Sequence, residues 1–240
     1  MRTNYSNKYT NEDIRNKFDN LVDNYSNIET GQTSAMDSYL IMEMISKVAS
    51  AVNPNTTHIL DLGSGAGNYT IKVAQQFPMV NCTLVDLSMK MLERAKERVQ
   101  QVTTGKVDII QSDFRKLNLK DNYYDIAVTG TALHHLRGEE EWKQVFSLIF
   151  KSLKPGGAFW ISDITEHDNP VIQNIMHNRY ENYLVDFGGE ELKNWVNEQM
   201  ALEDTPRSLE FQLNMLKEVG FLTTEILHKN AVYAAFGAIK

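Results

Sequence analysis

His58-Ile-Leu-Asp-Leu-Gly-Ser-Gly-Ala-Gly-Asn68 is the stretch that decides the fold of this chain, because a short apolar run breaks there into three glycines at every second position. Ile59, Leu60 and Leu62 predict a buried parallel strand. The glycines that follow carry no Cβ, so the turn after the strand can lie close to a ligand. We therefore interpret this stretch as a strand that ends at a bound nucleotide.

A second apolar run that ends in an acid supports this interpretation. Cys-Thr-Leu-Val-Asp at residues 82–86 predicts a neighbouring strand, and Asp61 lies two residues before the first glycine. The carboxyl ends of parallel strands meet at one edge of a sheet, so both strand ends would face one ligand. The spacing departs from the dinucleotide-binding fingerprint G-x-G-x-x-G, because Asn68 occupies its third glycine position and a glycine comes one residue earlier, at Gly67.

The pattern Asp61-x-Gly-x-Gly-x-Gly67 resembles motif I of the class I S-adenosylmethionine (SAM) dependent methyltransferases. Leu-Lys-Pro-Gly-Gly followed by an apolar run, at residues 153–161, resembles a further signature of that family. The resemblance covers about residues 12–240. It implies a doubly wound α/β fold of the Rossmann-like methyltransferase type, with a mostly parallel seven-stranded sheet, an antiparallel last strand and a helical cap. It also implies SAM as the cofactor and a small-molecule methyl acceptor.

The resemblance further implies a set of cofactor-binding residues at the strand ends. Asp86 stands at the position of the ribose-binding acid, where a carboxylate can accept both hydroxyls. Asp113 stands where the family accepts the adenine amino group, and Leu87 and Met91 are expected to pack on the adenine. The expected set is Tyr25, Tyr39, Asp61, Gly63, Ser64, Gly65, Gly67, Asp86, Leu87, Met91, Asp113, Phe114 and Thr129.

Two amphipathic helices are predicted before the glycine-rich strand. Apolar residues recur at spacings of three and four over residues 12–25 and again over residues 40–52. In the small-molecule methyltransferases that this chain resembles, this part of the chain forms a lid. We therefore expect residues 1–52 to form lid helices, in which Tyr25 and Tyr39 could touch cofactor or substrate.

Residues 53–240 form the expected SAM-binding domain, and residues 166–219 read as helices inserted between its fifth and sixth strands. Such an insertion would cap the transferred methyl group, and Thr205-Pro206 is expected to begin its third helix. Polar side chains of the cap would then choose the substrate. The candidates for this role are His177, Arg179, Tyr180, Tyr183 and Asp186.

A histidine pair follows the predicted fourth strand. Ligands of a doubly wound sheet bind outside the carboxyl ends of the strands, so His134 and His135 should lie near the transferred methyl group. Asp163, at the end of the fifth strand, could orient either imidazole in an acid–base pair. We expect these three as the catalytic residues, although the pattern does not say which imidazole faces the site. They would suit a hydroxyl or phenol acceptor more than an amine or a thiolate.

Three alternatives stay open at this level. The C-terminal half resembles carboxy-SAM synthase, an enzyme of tRNA wobble modification, but Asn194 stands where that enzyme has a carboxylate-binding arginine. A non-catalytic SAM-binding protein is the second alternative, although the acids and glycines of motif I are intact. A metal-dependent enzyme is the third. His167 could complete a site with the histidine pair and Asp163, but no ligand spacing demands one, and we expect no metal.

Composition and charge limit the partners. A chain of 240 residues with 42% hydrophobic residues fits one α/β domain. A net charge of −7 without long basic runs gives little support to a nucleic-acid partner. The single cysteine, Cys82, cannot form an internal disulfide, and no apolar run approaches the ~20 residues of a membrane span. The sequence thus predicts a cytoplasmic protein that binds a small molecule and neither nucleic acid nor membrane, and it leaves a homodimer open.

Overall fold

A computed structural model of the chain describes Tyr5 and residues 7–240, which build one seven-stranded sheet with helices on both faces. The strands are β1 (His58–Leu62), β2 (Asn81–Asp86), β3 (Val107–Gln111), β4 (Tyr124–Gly130), β5 (Leu153–Ile164), β6 (Thr223–Asn230) and β7 (Tyr233–Ile239). Their order in the sheet is β3-β2-β1-β4-β5-β7-β6. The first five strands pair in parallel, whereas β7 runs antiparallel to both of its neighbours. The predicted mostly parallel sheet with an antiparallel last strand is confirmed.

The helices are α1 (Asn11–Asp19), α2 (Val22–Tyr25), α3 (Ser38–Val52), α4 (Asn68–Ala74), α5 (Met89–Val99), α6 (Glu139–Ser152), α7 (Pro170–Glu203) and α8 (Leu209–Glu218). The alternating side chains of β1 show which helices cover each face of the sheet. Ile59 packs into the core beneath α3, α4 and α5, whereas Leu60 and Leu62 pack into the core beneath α6. Successive side chains of a strand point to opposite faces, so the apolar residues Ile59, Leu60 and Leu62 bury β1 on both faces.

The N-terminal lid is shorter than the sequence predicts. The single helix expected over residues 12–25 is interrupted after α1, where the Asn20 side chain donates a hydrogen bond back to Asn16 O at 2.9 Å. The second predicted lid helix, α3, belongs to the sheet layer instead. Its apolar stripe, represented by Ile41 and Ile45, is fully buried in the core of the sheet. Only α1 and α2 are therefore placed to cover a ligand.

The cap is also shorter than expected, because α8 packs on the sheet through Met215 and Leu216, in the same core as α6. Helix α7 alone forms the cap, and Gly189 interrupts it with φ of 77°. Thr205-Pro206 does not begin a helix. It lies in the connection to α8, which begins after Ser208, whose hydroxyl accepts a hydrogen bond from Phe211 N at 3.3 Å. Among the described helices, none combines the length and the apolar character needed to cross a membrane.

Candidate active site

A cavity opens beside the carboxyl ends of β1, β2 and β4, and we call it the strand-end cavity. Small-molecule sites of α/β sheets lie at this position. Helices α1 and α2 close it from the lid side with Phe18 and Tyr25. The sequence-predicted residues that line it are Tyr25, Asp61, Gly63, Ser64, Gly65, Asp86, Leu87, Met91 and Phe114.

The glycine-rich turn is tied to the end of β2 by backbone hydrogen bonds. Gly65 N donates to Asp86 Oδ2 at 2.9 Å, and Ser88 N donates to Asp86 Oδ1 at the same distance. Gly63 has φ of 67°, and a Cβ built there would lie 2.4 Å from the Cβ of Ala132. The absent side chain therefore lets the turn after β1 approach the loop after β4, which makes the floor of the cavity narrow.

Asp61 presents an unsatisfied acceptor to the strand-end cavity. Its Oδ2 accepts a hydrogen bond from the Thr70 hydroxyl at 2.5 Å, whereas its buried Oδ1 has no hydrogen-bond partner among the described residues. Burial raises the pKa of Asp61 to about 7, and the nearby Asp86 carboxylate adds to this shift against the Thr70 hydrogen bond. A buried acceptor without a donor is unfavourable, so this oxygen suits a cationic group of a ligand.

Four of the predicted cofactor residues do not line the strand-end cavity, namely Tyr39, Gly67, Asp113 and Thr129. Tyr39 is 42% exposed on α3, and the Lys72 ammonium lies 4.2 Å from its ring centroid. Tyr39 does not line the cavity because α3 packs on the sheet. Thr129 is fully buried inside β4, and its hydroxyl donates to Leu62 O at 2.8 Å, so it joins the two strands instead of reaching a ligand.

Gly67 and Asp113 serve the structure around the cavity. Gly67 has φ of 86°, and a Cβ there would lie 3.2 Å from the Cβ of Ala95, so this glycine allows α4 and α5 to pack closely. The Asp113 carboxylate accepts hydrogen bonds from Arg115 Nε at 2.8 Å and Asn11 Nδ2 at 2.7 Å. The Arg115 guanidinium and these bonds outweigh burial and lower the pKa of Asp113. The next residue, Phe114, lines the strand-end cavity, whereas Asp113 does not.

A second cavity lies between the cap, the lid and the ends of β4 and β5, and we call it the cap cavity. Its walls are rich in aromatic side chains, namely Phe18, Tyr25, Tyr180, Trp195 and Tyr233. Phe18, Tyr25, Gln32 and Thr131 line both cavities. The two cavities are thus neighbours that share one wall, and sequence reasoning had assigned only Tyr25 to it.

The histidine pair is divided between the two cavities. The 3-10 turn Leu133–His135 directs His134 to the cap cavity and His135 to the strand-end cavity. His134 Nδ1 donates to Asp163 Oδ1 at 2.5 Å, and His134 N donates to Asp163 Oδ2 at 3.1 Å. Asp163 itself is fully buried and lines neither cavity. It therefore positions His134 and does not face a ligand.

Asp204 is a site residue that the sequence analysis missed. It follows the end of α7, lines the cap cavity, and places its Oδ1 3.5 Å from His134 Nε2 and 3.7 Å from His135 Nδ1. The next residue fixes this position, since Thr205 N donates to His134 O at 2.7 Å across 71 positions of sequence. No local motif marks Asp204, because only the folded cap brings it to the histidines.

The charges of this cluster depend on burial and on one another. Burial lowers the pKa of His134, but the Asp163 and Asp204 carboxylates outweigh this effect and raise the pKa to about 9. Burial raises the pKa of Asp204 to about 6, against the attraction of His134. Burial and the positive charge of His134 lower the pKa of His135 well below its usual value. The cluster therefore combines a charged His134 between two acids with a neutral His135.

The other candidates from the sequence lie apart from this cluster. Of the cap residues proposed to choose the substrate, Tyr180 alone lines the cap cavity, and its hydroxyl donates to Ser34 O at 2.8 Å. Arg179 Nε donates to Asn230 Oδ1 at 3.2 Å, at the far end of β6. His167 lies 3.2 Å from Ala231 O, away from the histidine pair, and Asn194 is exposed.

Comparison with known proteins agrees with this geometry. Residues 59–157 match the model of a family described as a methyltransferase domain. The chain is 29% identical over 185 residues to carboxy-S-adenosyl-L-methionine synthase of Nautilia profundicola, covering 76% of each protein. It is 25% identical over 239 residues to demethylmenaquinone methyltransferase of Lactiplantibacillus plantarum, covering 97% of this chain and 98% of that protein. Together with the fold, these matches support a class I SAM-dependent methyltransferase.

A solved structure shares the fold of this methyltransferase. Human N-acetylserotonin methyltransferase in complex with SAM superimposes with a TM-score of 0.61 at 17% identity, and the match covers 98% of this chain and 63% of the human one. The cofactor of the methyltransferase is SAM. The strand-end cavity fits this cofactor, since its unsatisfied Asp61 oxygen suits a cationic group and its backbone turn lies at the carboxyl ends of the strands.

Proposed function

We propose that this methyltransferase transfers the methyl group of SAM to a hydroxyl group of an aromatic small molecule that binds in the cap cavity. The observation that carries the proposal is the wall shared by the two cavities, to which Phe18, Tyr25 and Thr131 contribute. Bound SAM supplies an activated methyl group, so the chain has mainly to align the acceptor and exclude water. Alignment of this kind is worth ~7–11 kcal/mol of the barrier.

The strand-end cavity has groups suited to each part of SAM. We infer that Asp86 accepts the ribose hydroxyls and that Leu87 and Met91 pack on the adenine, since all three line the cavity near the end of β2. The unpartnered Oδ1 of Asp61 would bind the ammonium group of the cofactor. Helices α1 and α2 close over the cavity with Phe18 and Tyr25 and so keep water away from the reacting groups.

The cap cavity favours an aromatic acceptor that carries an acidic proton. Tyr180, Trp195 and Tyr233 offer apolar and aromatic surface, on which a planar ring can stack. His134 and Asp204 face the same cavity, and Asp163 holds the ring of His134 from behind. Because His134 already carries its proton, the Asp204 carboxylate is the group that can accept the hydroxyl proton, and a positioned base of this kind contributes ~10²–10⁴ in rate. The Lactiplantibacillus relative, named for a quinone acceptor, is consistent with a small cyclic acceptor.

The alternative of a carboxylated cofactor finds less support in the cap cavity. Asn194, aligned with the arginine of carboxy-SAM synthase, is exposed and lines neither cavity. Lys17 is the one lysine or arginine among the described residues that line the cap cavity, and its ammonium is paired with Glu203 at 2.5 Å. The relative from Nautilia profundicola keeps this alternative worth testing.

Two linked measurements test the proposal. Mass spectrometry of the small molecule released on denaturing the fresh protein should find SAM or S-adenosylhomocysteine. Release of carboxy-SAM would instead support the synthase alternative. Matched acceptors with one aromatic ring and a hydroxyl, an amine or a thiol should then be incubated with SAM and the protein. Methylation of the hydroxyl compound above the other two is expected. Methylation of the amine alone, or of none of a broad panel, would contradict the proposed acceptor class.

A further inference from the structure

We propose that His134, His135 and Asp204 form a binding site for a divalent transition-metal ion of the Zn²⁺ and Co²⁺ class. The sequence by itself predicts no metal site, because the third ligand comes from the far end of the cap. Two imidazoles and one carboxylate are ligands that such ions prefer, whereas Mg²⁺ and Ca²⁺ prefer oxygen ligands. Both the geometry of these three residues and their surroundings point to an ion.

The three candidate ligand atoms already lie close to one another. Asp204 Oδ1 is 3.5 Å from His134 Nε2 and 3.7 Å from His135 Nδ1, and all three atoms lie within 4.8 Å of one another. Metal–ligand bonds of about 2.0–2.1 Å in a tetrahedral site place neighbouring ligand atoms roughly 3.3 Å apart. The two distances to the Asp204 carboxylate differ from this ligand spacing by only a few tenths of an ångström. Small side-chain movements would therefore suffice to hold an ion.

In each histidine, the ring nitrogen that would not bind the ion donates a hydrogen bond to an acceptor, as is usual for metal-ligating histidines. His134 donates its Nδ1 proton to Asp163 Oδ1 at 2.5 Å, and its Nε2 faces Asp204, so an ion bound there would replace the Nε2 proton, which would leave to solvent. His135 hydrogen-bonds the backbone of Glu203, which leaves Nδ1 directed at the same carboxylate. A carboxylate or carbonyl acceptor behind the ring fixes both its orientation and the nitrogen that is free to bind. These partners orient both rings toward one point.

A second observation is the unsatisfied nitrogen of His135. Among the described residues, no hydrogen-bond partner lies within reach of His135 Nδ1, although the atom is buried. Buried polar atoms without a partner are rare, and a bound ion is one of their ordinary explanations. A cation would satisfy this nitrogen, which the protein's own groups do not.

The position of the cluster suggests a role for the ion. His135 lines the strand-end cavity, whereas His134 and Asp204 line the cap cavity, so the three ligands meet where the cavities adjoin. Three protein ligands leave at least one position open, as catalytic metal sites do. An acceptor oxygen bound there would release its proton to solvent more readily. This role rests on the proposed function, but the metal site itself does not.

Titration calorimetry and metal analysis of the full chain, purified without a histidine tag, test the proposal. After removal of adventitious metal with a chelator, the protein should bind about one Co²⁺ or Zn²⁺ per chain. Bound Co²⁺ should show the visible absorption bands that are typical of a site with nitrogen ligands. Mg²⁺ at the same concentration should give no comparable binding. Replacement of a ligand, in His135→Gln or Asp204→Asn, should weaken Co²⁺ binding by at least about tenfold.

His167→Gln is the matched control, because this histidine is partly buried but lies outside the cluster. Its Co²⁺ affinity should equal that of the unchanged protein. Equal Co²⁺ binding by the His135→Gln, Asp204→Asn and His167→Gln variants, or none by the unchanged protein, would overturn the metal site. S-adenosylhomocysteine binding is measured on the same samples. If the unchanged protein binds S-adenosylhomocysteine but no Co²⁺, the result removes the metal proposal alone. If the unchanged protein binds no S-adenosylhomocysteine, the result counts against the proposed function.

Discussion

The strand-end cavity and the histidine cluster lie side by side but are built in different ways. The floor of the cavity comes from one short stretch, in which Gly65 N binds the Asp86 carboxylate at the end of the next strand. The cluster joins the loop after β4, the end of β5 and the end of the cap, represented by His134, Asp163 and Asp204. A continuous motif thus forms the floor of the cofactor side, whereas the histidine cluster joins three distant parts of the chain.

This difference predicts how each region responds to substitution. Changes at Asp61 or Asp86 should affect cofactor affinity, because these residues line the strand-end cavity and not the cap cavity. Changes in the cluster should affect turnover while the cofactor still binds. A substitution that lowers both equally would show that the two regions act as one unit. The four expected results below follow from this separation, from the largest effect to the smallest.

Asp204→Asn is expected to have the largest effect. It keeps the size of the side chain but removes the charge that faces His134 Nε2 in the cap cavity. Turnover with a hydroxyl acceptor should fall by ~10²–10⁴, as for loss of a positioned base. S-adenosylhomocysteine affinity should stay within about twofold. Asp168→Asn, an exposed acid before the cap helix, is the control and should keep full turnover. Equal losses in both variants would contradict the assignment of Asp204.

Asp86→Ala should weaken S-adenosylhomocysteine binding by about tenfold or more, because charge-assisted hydrogen bonds to the ribose would be lost. The substitution also removes the acceptor for Gly65 N, so the turn itself would loosen. Asp108→Ala, on the neighbouring strand β3 and half-exposed, is the matched control. Titration calorimetry on both variants gives the comparison. An affinity unchanged in Asp86→Ala would show that this carboxylate does not hold the ribose.

The pH dependence of SAM binding isolates Asp61. Burial raises the pKa of Asp61 to about 7, so the carboxyl group is largely neutral below this pH and charged above it. A cationic ligand prefers the charged form, and SAM affinity should therefore rise roughly fivefold from about pH 6 to about pH 8. The Asp61→Asn variant cannot ionise at this position and should bind with a much flatter profile. A profile equally steep in both proteins would assign the dependence to another group.

Tyr39→Ala should have the smallest effect and Tyr25→Ala provides the contrast. Tyr39 is 42% exposed and its ring contacts the Lys72 ammonium, an interaction worth about 0.5–1 kcal/mol of stability at such a site. Cofactor affinity should therefore not change in Tyr39→Ala. Tyr25 lines both cavities, so its removal should weaken binding measurably. If Tyr39→Ala weakened binding as much as Tyr25→Ala, α3 would have to be part of the lid.

Sequence reasoning worked where a residue's role follows from its neighbours in the chain. The parallel strands, the glycine turn and the acid at Asp86 depend on local patterns, and the structure places all of them around one cavity. The extent of the lid was predicted less well. The apolar stripe of α3 has the same helical period whether it covers a ligand or the sheet, so periodicity could not show that Ile41 belongs to the core.

The sequence by itself determined the family resemblance, the cofactor and the sheet order that follows from them, because motif I and the strand pattern are local. Tertiary structure alone decided which histidine faces which cavity and that Asp204 joins them. A hydrogen bond from Thr205 to His134 closes a loop of 71 positions, and no neighbouring residue encodes that meeting. Burial then fixed the charges of the cluster, since the pKa of each group depends on the partners that folding brings to it.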